Sequence, residues 1–206
     1  MGKHAKSFET QMLARIVRKG RGAVMTPGDF ADLGPRASID QALSRGVREG
    51  RIRRLARGVY DYPRHHPRLG RLAPSMDDVA RALAGRDASR IQPSGAHAAN
   101  LLGLSDQVPV RAVYLTDGRS RTVQVGRRTV VLKKTTPRNM ATAGRISGTV
   151  IQALRWLGRR HVDDRVIATL RKRLGDEDRK QLLADIRFAP AWIAAVVRHM
   201  VGGTER

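Results

Sequence analysis

Glycine and proline stand together at Gly34-Pro35, and this break stops residues 26–49 from forming one continuous helix. Upstream, Thr26-Pro27-Gly28-Asp29 offers an N-cap hydroxyl, a proline at the first helical position and an acid at the third, which predicts a helix over Pro27 to Leu33. Downstream, Ile39, Ala42, Leu43, Gly46 and Val47 fall on one side of a helix expected over Ser38 to Glu49. After Gly50, the run Arg51-Ile52-Arg53-Arg54-Leu55-Ala56-Arg57-Gly58-Val59-Tyr60 reads as a two-stranded ribbon. Ile52, Leu55, Val59 and Tyr60 are its inward anchors, and Gly58 supplies the turn. A first helix precedes all of this: residues 7–19 place Phe8, Met12, Leu13, Ile16 and Val17 on one face, with Ser7 as the expected cap and Gly20 as the stop. A short strand is expected at Ala23 to Met25. Helix, strand, helix, helix and ribbon, in that order, make a winged helix-turn-helix.

The face of the third helix opposite its apolar stripe carries Gln41, Ser44, Arg45 and Arg48. Arginine pairs with guanine edges and glutamine with adenine, so this face is expected in a major groove. Thr26, Arg36 and Ser38, near the starts of the second and third helices, are expected as further contacts. A polar face alone is ordinary for a surface helix. The ribbon beside it adds weight, because Arg51, Arg53, Arg54 and Arg57 are expected to project outward, where they would grip phosphates or enter a minor groove. The whole chain agrees: 40 Lys and Arg against 18 Asp and Glu leave a formal charge of +22 on 206 residues. A phosphate backbone rewards such an excess through counterion release.

Other chemistries find little support. The chain has no cysteine, which excludes disulfides, thiolate zinc sites and cysteine nucleophiles. No apolar run has the length of a membrane span, and the first residues lack the pattern of a signal peptide, so a soluble cytoplasmic protein with no membrane partner is expected. There is no phosphate-binding Gly-x-x-x-x-Gly-Lys loop, and Gly20-Arg21-Gly22 is too short for a dinucleotide fingerprint. His65-His66 have no carboxylates at ligand spacing, and His97 is expected on a helix facing a partner or the core. Asp77-Asp78, Asp163-Asp164 and Asp176-Glu177-Asp178 each fall near a helix start, where negative charge complements the dipole. The expectation is a protein that is not an enzyme and needs no cofactor or metal.

Pro63, Pro67 and Pro74 predict a linker over residues 64–74, between a winged domain at 1–63 and a second domain at 75–206. In the second domain, helices are expected at Met76 to Ala84 and Ser94 to Leu102. Strands follow at Arg111 to Thr116, Thr122 to Val125 and Thr129 to Leu132, and a helical tail runs over Gly144–Leu157, Asp163–Leu174, Glu177–Ile186 and Pro190–Met200. The expected class is α+β: a winged helix-turn-helix, then an α+β domain with a small antiparallel sheet and helical tail. Arg119, Arg121, Arg127, Arg128, Lys133, Lys134 and Arg138 lie in a stretch without any acid. They form either a second nucleic-acid surface or a sheet edge protected by charge.

From Met25 to Tyr62, and most densely over Gly50 to Tyr60, the sequence resembles the winged-helix domain of AbiEi-type antitoxins. These are the antitoxin halves of bacterial type IV toxin–antitoxin operons, and the version here resembles actinobacterial ones. The resemblance continues through Pro93-Ser94-Gly95-Ala96-His97-Ala98-Ala99-Asn100-Leu101-Leu102-Gly103-Leu104 and Val113-Tyr114-Leu115-Thr116-Asp117-Gly118. It implies a transcriptional autorepressor bound to double-stranded promoter or operator DNA, which neutralises a nucleotidyltransferase-like toxin, with that toxin or its RNA substrate as a further partner. The residues themselves also fit an RNA-binding protein that grips folded RNA by shape, or a stand-alone winged-helix regulator.

Overall fold

The computed structural model describes residues 8–85 and 88–202. Contacts divide the chain into Met1–Ala88 and Ser89–Arg206. The first unit contains α1 (Phe8–Lys19), β1 (Val24–Met25), a 3-10 turn at Pro27–Phe30, α2 (Arg36–Arg48), β2 (Arg53–Ala56) and β3 (Val59–Asp61). The three strands form an antiparallel sheet in the order β1-β3-β2, which is winged-helix topology. Met12 and Ile16 of α1, Phe30, Ile39 and Leu43 of α2, and Ile52 and Tyr60 of the wing share one buried core. Ser7, expected to cap α1, lies outside the described residues.

The expected second helix is only one turn of 3-10 helix, and the hydrogen bonds give the reason. The Asp29 carboxylate accepts the Thr26 N–H at 2.8 Å and the Thr26 hydroxyl at 3.0 Å. The Asp29 carbonyl, which an α-helix would offer to Leu33, instead accepts Arg15 at 2.8 Å, while the Leu33 N–H turns back to Phe30. Arg15 also grips Asp32 through two bonds of 2.5 and 2.6 Å, and this guanidinium draws the Asp32 carboxyl down to about 2. α1 therefore sets the turn that aims α2.

The junction of α2 with the wing is tight. The Gly46 carbonyl accepts the N–H groups of Arg51 and Ile52 at 3.0 and 3.2 Å. A Cβ at Gly46 would stand 3.3 Å from two Ile52 side-chain carbons, so glycine lets the wing start directly beneath the helix. Across the wing, Arg53 is in register with Asp61 and donates to its carboxylate at 3.0 and 2.6 Å. The same guanidinium donates to the Leu72 carbonyl at 2.8 Å. Asp61 is 1% exposed.

Residues 64–74, expected as a linker, are instead structured and belong to the first unit. β4 (His65–His66) pairs with β5 (Gly70–Arg71), and α3 (Met76–Gly85) follows. The Leu72 N–H bonds to the Arg64 carbonyl at 2.9 Å, and His66 Nδ1 accepts the N–H groups of Arg68 and Leu69 at 3.2 and 3.3 Å. α3 packs on β1 and β3 and buries Val79, Ala80 and Leu83. The prolines do forbid a long element, but a hairpin of two-residue strands remains open to them. The boundary thus falls at 88/89 rather than within 64–74.

The second unit runs β6 (Ile91–Ser94), α4 (Gly95–Leu101), β7 (Arg111–Thr116), β8 (Arg121–Val125), β9 (Arg128–Lys134), α5 (Pro137–Met140), α6 (Ile146–Leu157), α7 (Asp164–Arg173), α8 (Asp176–Asp185) and α9 (Ala191–Gly202). The class is α+β, with a small sheet and a helical tail. Strand order is β6-β7-β9-β8. β6–β7 and β8–β9 are antiparallel, as expected of a small antiparallel sheet. β9 folds back between β7 and β8 and so runs parallel to β7. β6 carries Pro93, tolerable because this strand is an edge.

Ala98, Leu102, Val150, Leu154, Leu170, Leu182, Ile193 and Val197 build the helical core. Within it Asp185, 1% exposed, accepts Arg145 at 2.6 Å, Ser147 at 2.5 Å and Gln181 at 3.1 Å. Burial pushes its carboxyl up, but bonds from Ser147, Arg145 and Gln181 together outweigh this and hold it below the usual carboxylate range. Among the described residues, no helix is long and apolar enough to cross a membrane.

Two measurements check this fold. A fragment of residues 1–88 will unfold cooperatively in urea, whereas a fragment ending at Pro63 will lack a cooperative transition, since it loses α3 and the Leu72 carbonyl. Arg53→Ala will destabilise the first unit by about 3–5 kcal/mol, because it leaves a buried carboxylate uncompensated. A loss within roughly 0.5 kcal/mol, the range of ordinary surface substitutions, would contradict the role given to this pair.

Candidate nucleic-acid interface

Spacing of three and four residues puts Gln41, Ser44, Arg45 and Arg48 on one face of α2, and all four are exposed. With Asp40 they line a shallow concavity of about 340 Å³. Ile39, Ala42 and Leu43 hold the opposite face in the core, which fixes the direction of the polar one. The arginines around this face differ in their freedom. Arg45 pairs with Glu9 of α1, Arg36 pairs with Asp40 at 2.8 Å, and Arg51 pairs with Glu49 at 3.0 Å. Arg48 has no ion pair among the described residues.

The wing turns at Arg57-Gly58, where Gly58 adopts a φ of +71°. A register shift between Arg54 and Ala56 bends β2 just before that turn. Arg54 and Arg57 are exposed, and neither side chain has a hydrogen-bond or ion-pair partner among the described residues. The wing therefore carries two uncommitted guanidiniums, and α2 carries a third, Arg48.

Two of the expected contacts are committed elsewhere. Thr26 is 1% exposed and its hydroxyl is spent on Asp29, so it cannot reach a groove. Arg53 does not project outward, since its guanidinium is held by Asp61 and Leu72. Both corrections had a signal in the sequence: Thr26 and Asp29 stand at capping-box spacing, and a turn at Arg57-Gly58 brings Arg53 opposite Asp61. Ser38 is half-buried near the start of α2, and Arg36 and Arg51 are exposed but paired.

The expected second basic surface is divided by its hairpin. Arg127 stands in the turn and Arg128 beside it, paired with Val125. Arg119, Arg121, Lys133 and Lys134 gather at the other end, about 15 Å away at the usual strand rise. Lys133 and Lys134 are consecutive and so point to opposite faces. Arg128 is half-buried, with its Nε enclosed and without a partner, and Arg138 is exposed on α5.

His97 is 5% exposed, with a ring nitrogen 2.8 Å from the Tyr114 hydroxyl. Asp163 caps α7 by accepting the Val166 N–H at 2.9 Å, and Asp78 meets the Ser75 hydroxyl at 2.6 Å. His65 and His66 are exposed on β4. Among the described residues, no cluster of three or more histidines and carboxylates is placed to hold a metal ion.

Among solved structures, the crystal structure of RV2827C protein from Mycobacterium tuberculosis is similar at 13% identity and a TM-score of 0.48, over all of this chain and 80% of that one. No curated protein matches. The model of a family described as "Family of unknown function (DUF6088)" matches residues 11–182, and the chain belongs to that family.

Proposed function

We propose that this protein is a sequence-specific duplex-DNA repressor acting on its own promoter, and the antitoxin of a toxin–antitoxin operon whose toxin is a nucleotidyltransferase. One observation carries the DNA half. Acids neutralise Arg36, Arg45, Arg51 and Arg53, yet Arg48, Arg54 and Arg57 stay unpaired among the described residues, on the face of α2 and at the wing. Gln41 and Ser44 beside Arg48 give that face base-reading groups, and the wing arginines suit the phosphates alongside. In this reading Arg48 and Gln41 specify sequence, while Arg54 and Arg57 supply affinity for any duplex.

The antitoxin half rests on the resemblance to AbiEi-type antitoxins. The segments that carry it in the second unit form β6, α4 and β7, where Ala98, Ala99 and Tyr114 are buried. That motif maintains the fold, so contact with a toxin or its RNA substrate falls to exposed residues of the same unit. A repressor of this kind works in the cytoplasm.

Fluorescence anisotropy with the protein's own promoter tests the reading. Preference over a random duplex is expected on the order of a thousand-fold. Arg48→Ala is expected to cost about 1–3 kcal/mol on the promoter and little on random DNA, while Arg54→Ala/Arg57→Ala weakens both and lowers the salt slope by roughly 2. Equal affinity for promoter and random duplex, or an unchanged salt slope in the wing variant, contradicts the DNA half. Failure of the full chain to rescue cells expressing the neighbouring nucleotidyltransferase contradicts the antitoxin half.

A further inference from the structure

The first unit holds a second concavity, of about 430 Å³, at the other end of the wing. Ile16 and Ile52, each 2% exposed, form its floor together with Tyr62 and Pro63. Leu13 and Val17 of α1 also line it, and Val17 is 60% exposed. Arg21, Arg51 and His65 stand at its rim; Glu49 pairs with Arg51 at 3.0 Å, so the uncompensated charge at this rim among the described residues is that of Arg21. The Arg21 guanidinium lies 4.8 Å from the centre of the Tyr62 ring and donates to the Pro63 carbonyl at 3.3 Å, so a positive charge is fixed at the edge of an apolar floor.

Ile52 precedes β2 and Tyr62 follows β3, whereas the Arg57-Gly58 turn closes the opposite end of the same ribbon. At the usual rise per residue the two ends are about 13 Å apart.

We infer that this groove docks an amphipathic segment of an acidic partner protein, apolar side chains against Val17, Leu13 and Tyr62 and carboxylates toward Arg21. Charge selects the occupant. A second copy joined symmetrically through this face would set one cationic rim against the same rim of another chain of formal charge +22, and like charges brought together oppose association. An apolar stripe flanked by Glu and Asp meets both the floor and the rim. This inference goes beyond the DNA-binding reading and does not depend on it.

The test uses the full chain and a fluorescent helical peptide with leucines at i, i+4 and i+7 and glutamates elsewhere. Two controls carry lysine in place of glutamate, or the same residues scrambled. The glutamate peptide should bind at least ten-fold more tightly than either control. Val17→Glu should weaken it at least ten-fold while melting temperature and promoter affinity stay unchanged. Equal binding of the lysine or scrambled peptide overturns the proposal, as does undiminished binding by Val17→Glu. Two further outcomes also overturn it: a concentration-dependent dimer of the wild type that Val17→Glu dissolves gives the groove to a second copy, and loss of promoter affinity in Val17→Glu gives it to DNA. Failure of the wild type to bind any duplex overturns only the repressor reading, because the peptide is measured without DNA.

Discussion

The carboxylate of Asp61, buried and clasped by Arg53, is the interaction on which the winged unit depends. A charge in that position is tolerable only with its partner, and the partner is supplied by the strand directly opposite. One guanidinium thereby sets the register of β2 on β3 and, through the Leu72 carbonyl, anchors the segment that leads into α3. Gly46 adds the second constraint, since a Cβ there would stand 3.3 Å from two Ile52 side-chain carbons and the wing would have to give by a few tenths of an ångström. Helix, wing and returning chain are thus fixed relative to one another by two residues on either side of a tight turn.

With that frame in place, the distribution of charge follows from which arginines find acids. Glu9, Asp40, Glu49 and Asp61 hold Arg45, Arg36, Arg51 and Arg53. Each exposed pair contributes little to stability, but each fixes where a guanidinium points. Of the arginines on α2 and the wing, Arg48, Arg54 and Arg57 remain without an ion pair among the described residues. The apolar groove lies at the far end of the same ribbon, so the unit presents two chemically different surfaces separated by the length of the wing.

Much of this was legible in the sequence, and the reasons differ by element. α1, α2, α6 and β7 bury a regular stripe or a β-branched run, and periodicity places them to within a few residues. The 3-10 turn was not legible as such, because its length is set by Arg15 reaching across from α1 to the Asp29 carbonyl. β4, β5 and β6 are too short or too proline-marked to show a period, and the unit boundary moved with them. Within the site, the exposed face of α2 followed from its buried face. Arg53 did not follow from its neighbours Arg54 and Arg57, since only cross-strand register separates an arginine that holds the fold from two that are free to bind.

Hydrogen exchange of the full chain, with and without its promoter duplex, tests most directly whether α2 and the wing form the nucleic-acid face. Slowed exchange is expected only in peptides covering residues 36–49 and 53–59, with residues 64–72 and the β8–β9 hairpin unaffected. Protection of the β8–β9 hairpin with no change across α2 and the wing would contradict it.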